Sequence, residues 1–162
     1  MLRALMFAAA LLAGCAPVDP VSPPGASKDP PMTSSPTPTN PAGALAAPVN
    51  PAERVLYAAE NGATIELPVG ETIAIALVGV PTAGYVWAIA EAQPYVSEVD
   101  AGSGQTTAAQ RQPGFTGGNH WEVTRVRATA PGTGTLRLEQ RRPWEPKSEP
   151  PAQSFTVTIV VR

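Results

Sequence analysis

Thr64-Ile65-Glu66-Leu67-Pro68-Val69-Gly70-Glu71-Thr72-Ile73-Ala74-Ile75-Ala76-Leu77 is the stretch that decides the fold. Ile65, Leu67 and Val69 occupy every second position, and Ile73, Ile75 and Leu77 resume that period after a turn at Pro68-Val69-Gly70. Successive side chains on a strand point to opposite faces, so a period of two marks strands with one face buried. The same pattern recurs outward along the chain. Tyr85, Trp87 and Ile89 alternate, as do Trp121 and Val123, Leu136 and Leu138, and finally Phe155, Val157, Ile159 and Val161. Pro131-Gly132-Thr133-Gly134 and the Pro-rich stretch before Gln153 supply further turns, and no segment carries a helical period. The parity slips between Val123 and Val126, which predicts a bulge or a change of partner. Tyr95 to Gln112 reads as one or two weak strands. About seven strands within 53–162 predict an all-β, immunoglobulin-like antiparallel β-sandwich.

The first fourteen residues have a different character. Arg3 precedes an apolar run from Ala4 to Leu12, which is too short to span a bilayer and has the layout of a signal peptide. Leu12-Ala13-Gly14-Cys15 resembles the lipobox of bacterial lipoproteins. That resemblance implies cleavage before Cys15, lipidation of Cys15 and, with Ala16 rather than Asp following it, sorting to the outer membrane. The expected location is the cell envelope, with the lipid as membrane anchor; two or more acyl chains hold a protein where one does not. Cys15 is also the only cysteine. The exported domain therefore forms no disulfide and has no thiol for catalysis or metal binding.

Residues 16 to 52 contain eleven prolines and only three charges, Asp19, Lys28 and Asp29. Such a composition does not bury enough apolar surface to offset the entropy of ordering it. A disordered, Pro-rich linker over 15–52 is the expectation, with a reach on the order of 100 Å if extended. From Glu53 onward there are nine Lys and Arg against eleven Asp and Glu, with no basic stripe. That balance disfavours nucleic acid as a partner. His120 is the only histidine. One histidine makes neither a familiar zinc site nor a Ser-His-Asp set, so no catalytic residue, metal or cofactor is expected.

Chemistry concentrates in three loops. Val80-Pro81-Thr82-Ala83-Gly84-Tyr85-Val86-Trp87 is a stiff turn, with φ fixed at Pro81 and positive φ open to Gly84. Gly114-Phe115-Thr116-Gly117-Gly118 is stripped of side chains, which lets backbone approach another surface. Arg142-Pro143-Trp144-Glu145-Pro146 sets a large aromatic between prolines. In a sandwich whose strands each cross the domain once, alternate connections share an end, so all three loops are expected together. Trp and Arg are the residue types most often found as interface hot spots.

A Pro-Thr-x-Gly-Tyr-x-Trp turn, a Gly-Gly loop and an Arg-Pro-Trp loop, in this order, resemble the chagasin family. The likeness runs from about Thr64 to Arg162. It implies an immunoglobulin-like inhibitor of papain-like cysteine peptidases, with no enzymatic activity of its own. The peptidase-binding residues it implies are Pro81, Thr82, Ala83, Gly84, Tyr85, Gly117, Gly118, Arg142, Pro143 and Trp144. The turn at Thr82 would enter the catalytic groove while the other two loops clamp its rims. The chain departs from the family pattern at Val80, where Asn is usual, and at Gly114, one residue farther than usual from Gly117-Gly118. The partners expected are a papain-like cysteine peptidase and, through the lipid, the membrane, with the domain itself a monomer.

Each of these residues also has a plainer reading. Tyr85, Trp87 and Trp121 alternate with their neighbours and are expected in the core. Gly117-Gly118 and Pro81–Gly84 are compatible with ordinary turns, and Trp144 with a side chain folded over a sandwich edge. The competing functional reading is a non-inhibitory envelope module for protein–protein interaction. A hydrolase finds no support in these residues.

Overall fold

The computed structural model describes residues 43–162. The expected signal peptide, the expected lipidation site Cys15 and the expected linker as far as residue 42 lie outside the described residues. Among the described residues eight strands form, where about seven were expected: β1 Arg54–Leu56, β2 Thr64–Leu67, β3 Thr72–Gly79, β4 Val86–Glu91, β5 Val96–Gln105, β6 His120–Ala128, β7 Gly132–Arg141 and β8 Gln153–Val161. They make two four-stranded sheets, ordered β1-β3-β6-β5 and β2-β8-β7-β4. The murky stretch after Tyr95 is one long strand, β5, followed by a 3₁₀ turn at Ala108–Arg111.

The sandwich is not antiparallel throughout. β1 pairs parallel with β3 and β2 pairs parallel with β8. The reason is a counting rule. The chain reverses at each connection, so odd-numbered strands run one way and even-numbered strands the other. Neighbours of unlike parity pair antiparallel, as in β3–β6, β5–β6, β4–β7 and β7–β8. The two pairs of like parity are the parallel ones.

Between the sheets lies the main core, built from Leu56, Ile65, Leu67, Ile73, Ile75, Leu77, Val126, Leu136, Leu138, Phe155, Val157, Ile159 and Val161 among others. Each such side chain removed from water contributes roughly 1.5–3 kcal/mol of transfer free energy. β8 shows the clean alternation, with Phe155, Val157, Ile159 and Val161 buried between half-buried neighbours. Trp87 and Ile89 pack against this core from β4. Val69 does not join the alternation: it is 48% exposed in the turn that leads into β3.

β3 and β6 break the one-face rule. Ala74, Ala76 and Val123 are buried on the opposite face, where they form a second cluster with Ala47. Val49, Val55, Tyr57 and Trp121 pack around it, and Tyr57 meets Trp121 edge-on at 6.0 Å. This explains the parity slip at Val123 and Val126. Both residues are buried, each on its own face of a strand covered on both sides, and the β3–β6 register runs unbroken from Thr72↔Arg127 to Gly79↔His120. The sheet's irregularity sits instead in β5, between Glu98 and Asp100.

What covers the outer face is chain that was expected to be linker. Leu45 donates its amide to Thr106 O at 2.8 Å, Ala44 bridges Thr107, and Ala47 is 6% exposed against the sheet. Residues 43–52 therefore belong to the folded domain, and the boundary expected at 52/53 moves toward the N-terminus. Composition concealed this because the segment's anchors are backbone amide and carbonyl groups and the small side chains of Ala47 and Val49, not a run of large apolar side chains.

Candidate functional site

The end of the sandwich that carries the three loops is defined by register. Gly79 closes β3 opposite His120, which opens β6 and also faces Gln105 at the end of β5. Val86 opens β4 opposite Arg141 at the end of β7, and Gln140 faces Gln153 at the start of β8. The β3–β4, β5–β6 and β7–β8 connections therefore emerge at the same end, as the strand count implied.

The β3–β4 connection is a short, closed hairpin. Val80 and Tyr85 exchange backbone hydrogen bonds at 3.1 and 3.2 Å. Between them Pro81–Ala83 makes one 3₁₀ turn, ended by Gly84 in the left-handed region at φ 84°. Pro81, Thr82 and Ala83 are exposed at its tip. Val80 thus acts through its backbone, as one half of the bridge that closes the hairpin.

The β7–β8 connection folds onto this hairpin. Arg142 donates through Nε to Ala83 O at 3.0 Å and pairs through a terminal nitrogen with Glu145 at 3.1 Å. Its guanidinium lies 4.4 Å from the centroid of the Tyr85 ring. Tyr85, expected in the core, is instead half-buried beneath Arg142 at the loop end, because it precedes β4 and closes the hairpin rather than joining the strand. A planar cation that stacks on a ring while its N–H reaches a carbonyl holds two loops at once. Pro143 is exposed, and Trp144 is 71% exposed, with its indole against Gly84.

The β5–β6 connection is organised by Gln110. Its Oε1 accepts the amides of Thr106 at 2.7 Å and Thr107 at 3.0 Å, and its Nε2 donates to Asn119 O at 2.8 Å. Thr106 Oγ1 donates to the same carbonyl at 2.9 Å. Above this base the loop turns through Gly114, Gly117 and Gly118, all at positive φ, with Phe115 exposed. Gln110 went unnoticed in the sequence, where it is one polar residue in a stretch with no clear period.

Below the three loops the two sheets are joined by polar contacts. Trp87 donates its backbone amide to Glu122 at 2.8 Å and its indole N–H to Val78 O at 3.0 Å. Gln140 donates to the same carbonyl at 3.4 Å. Burial pushes the Glu122 carboxyl above the usual carboxylate range, opposed by the Trp87 amide and the charge of His120. Trp121, also expected in the core, packs on the outer cluster and donates its indole N–H to Leu45 O. His120 is half-buried at the start of β6. Among the described residues no three His, Cys, Asp or Glu side chains cluster as a metal site would.

The described residues form a two-sheet β-sandwich whose β3–β4, β5–β6 and β7–β8 connections share one end. Its family follows from comparison. Residues 66–159 match the family model described as chagasin family peptidase inhibitor I42, and the chain belongs to that family. The family is one of peptidase inhibitors, not of enzymes. Two curated relatives come from Entamoeba histolytica. Amoebiasin-1 is 31% identical over 103 residues, which are 63% of this chain and 93% of the relative. Amoebiasin-2 is 30% identical over 109 residues, 67% of this chain and 85% of the relative. Among solved structures, the crystal structure of a cysteine protease inhibitor from Entamoeba histolytica superposes with a TM-score of 0.57 at 27% identity, covering 67% of this chain and 95% of that one. The solution structure of amebosin gives a TM-score of 0.55 at 29% identity, covering 68% and 98%.

Proposed function

We propose that the domain is a reversible inhibitor of papain-like cysteine peptidases that blocks the active-site cleft with the β3–β4, β5–β6 and β7–β8 loops. The observation that carries this reading is the bracing of the first loop by the third. Arg142 holds Ala83 O, and Trp144 covers Gly84, so Thr82 is presented on a hairpin closed at both ends. A preorganised loop loses little entropy on docking, which favours tight binding without cleavage. Pro81 and the left-handed Gly84 keep the tip off the extended path of a substrate. The similarity to a solved cysteine protease inhibitor supports the same target class. Titrating the purified protein against papain tests it. Stoichiometric loss of peptidase activity is expected; full activity at a large excess of the protein would favour an interaction module without inhibitory function.

The chain's N-terminus adds a location to this reading. Leu12-Ala13-Gly14-Cys15 supports a lipid anchor on Cys15 and an inhibitor held at the outer membrane by a Pro-rich linker. Cys15→Ala should release or mislocalise the protein, and an unmodified Cys15 in the mass spectrum of the mature form would exclude the anchor.

A further inference from the structure

The segment Gly43–Pro48 lies across the outer face of the β1-β3-β6-β5 sheet and is fastened at both ends to elements that lead into the β5–β6 loop. At one end Ala108 donates to Gly43 O and Leu45 donates to Thr106 O, each at 2.8 Å. Thr106 and Thr107 are the same residues whose amides Gln110 holds. At the other end Arg125 donates to Pro48 O at 3.2 Å while pairing with Glu53 and Asp100, both at 2.8 Å. Trp121, one residue into β6, donates to Leu45 O at 2.8 Å. The seat is closely fitted. A Cβ on Gly104, near the end of β5, would lie 2.9 Å from Pro48, and Ala47 fills the gap between Ala74, Ala76 and Val123.

We propose that Gly43–Pro48 acts with Gln110 as a positioning element for the β5–β6 loop, so that the stance of Gly117-Gly118 depends on chain N-terminal to the sandwich. The physical argument is one of missing partners. A loop of fourteen residues between Gln105 and His120 has no strand to hold its first half. It borrows hydrogen bonds from the Gly43–Pro48 strap on one side and from two glutamine side chains on the other. Gln110 holds the Thr106 and Thr107 amides, and Gln105 donates to Gln110 O at 3.3 Å and accepts from Arg111 Nε at 3.2 Å. Removing the strap or Gln110 leaves the Thr106–Ala108 backbone short of partners, and the glycines above it lose their reference frame. The β3–β4 and β7–β8 loops brace each other and have no such dependence.

The functional half of this inference rests on the inhibitory reading above, so the test separates the two. The full-length protein carrying Ala47→Arg forces the strap off the sheet, and Gln110→Ala cuts the base of the loop without touching the strap. Hydrogen exchange reads the coupling directly. In Ala47→Arg the Thr106, Thr107 and Ala108 amides should exchange about tenfold faster or more, while Leu136 and Val157 on β7 and β8 keep their protection. Unchanged exchange at those three amides would overturn the proposal whether or not the protein inhibits anything. Against papain, both variants should weaken inhibition by about tenfold, and the double variant by little more than either alone, because both act on one loop. Inhibition within twofold of wild type in Gln110→Ala would overturn the functional half. Should Ala47→Arg not fold, Trp121→Phe replaces it; it keeps an aromatic six-membered ring at the position and removes the indole N–H that donates to Leu45 O, together with the five-membered half of the indole. It should give the same exchange signature, and a uniform loss of protection across the sheets would assign the strap a purely structural role.

Discussion

Trp144 occupies the space that a side chain on Gly84 would need: a Cβ there would sit 2.1 Å from the indole Cη2. The two residues are 60 positions apart and belong to different loops, and the missing methyl on one is what lets the other lie flat. Gly84 is therefore required twice, once for its φ of 84° and once for this contact.

The coupling gives a double-mutant cycle as the first prediction. Trp144→Ala should weaken peptidase inhibition by about 2 kcal/mol, roughly thirtyfold, with little change in melting temperature because the indole is largely exposed. Gly84→Ala should also weaken inhibition, and should lower stability by about 1 kcal/mol through its positive φ. In the Trp144→Ala background the inhibitory cost of Gly84→Ala should shrink, since the collision is gone. Strict additivity would show that the indole does not act through Gly84.

Arg142→Lys probes the same brace from below. A lysine keeps the charge but loses the planar stack on Tyr85 and the directed Nε bond to Ala83 O. Inhibition should weaken by about 1 kcal/mol, roughly fivefold, with a near-unchanged thermal transition. If lysine inhibits as well as arginine does, charge alone suffices and the stacked geometry is irrelevant.

Much of this architecture was legible in the residues, for physical reasons that differ from place to place. Phe155, Val157, Ile159 and Val161 announce β8 because one face meets the core and the other does not. The shared end of the three loops followed from strand parity, which needs only a correct count between them. Tyr85 was misplaced because alternation cannot tell a strand's first residue from the last residue of the hairpin before it. The segment 43–48 left little trace in the sequence because its anchors are mostly backbone amide and carbonyl groups, which every residue but proline carries in full. Ala74 and Ala76 held the available signal: two alanines on the nominally solvent face of a strand mark a surface that something covers closely.

The main core predicts a different phenotype from the loops. Phe155→Ala should destabilise by about 3–5 kcal/mol, the range for deleting a fully buried aromatic ring. Its inhibition constant, measured well below the lowered melting temperature, should stay close to wild type because the loop end is built from other residues. A thirtyfold loss of inhibition in a sample still folded at the assay temperature would mean that the core transmits to the loops.

Glu122 should make the protein's stability respond to pH in a sense opposite to its other perturbed carboxylates. Burial raises its folded-state pKa above the unfolded value, while the Trp87 amide and His120 act against that rise. A group with a raised folded pKa contributes fully below its unfolded pKa and loses that contribution as pH climbs through the folded pKa. Glu53, lowered chiefly by its hydrogen bond to Arg125, and Glu139, lowered chiefly by Arg141, behave the other way and weaken the fold as pH falls. Comparing Glu122→Gln with wild type at each pH cancels those two. Gln keeps an oxygen for the Trp87 amide and never ionises, so it mimics the protonated acid. The variant's melting temperature should exceed the wild type's near pH 8, and the gap should close toward pH 4, where wild-type Glu122 is itself neutral. A gap that is constant across the range would show that the side chain's shape, not its charge, sets the difference.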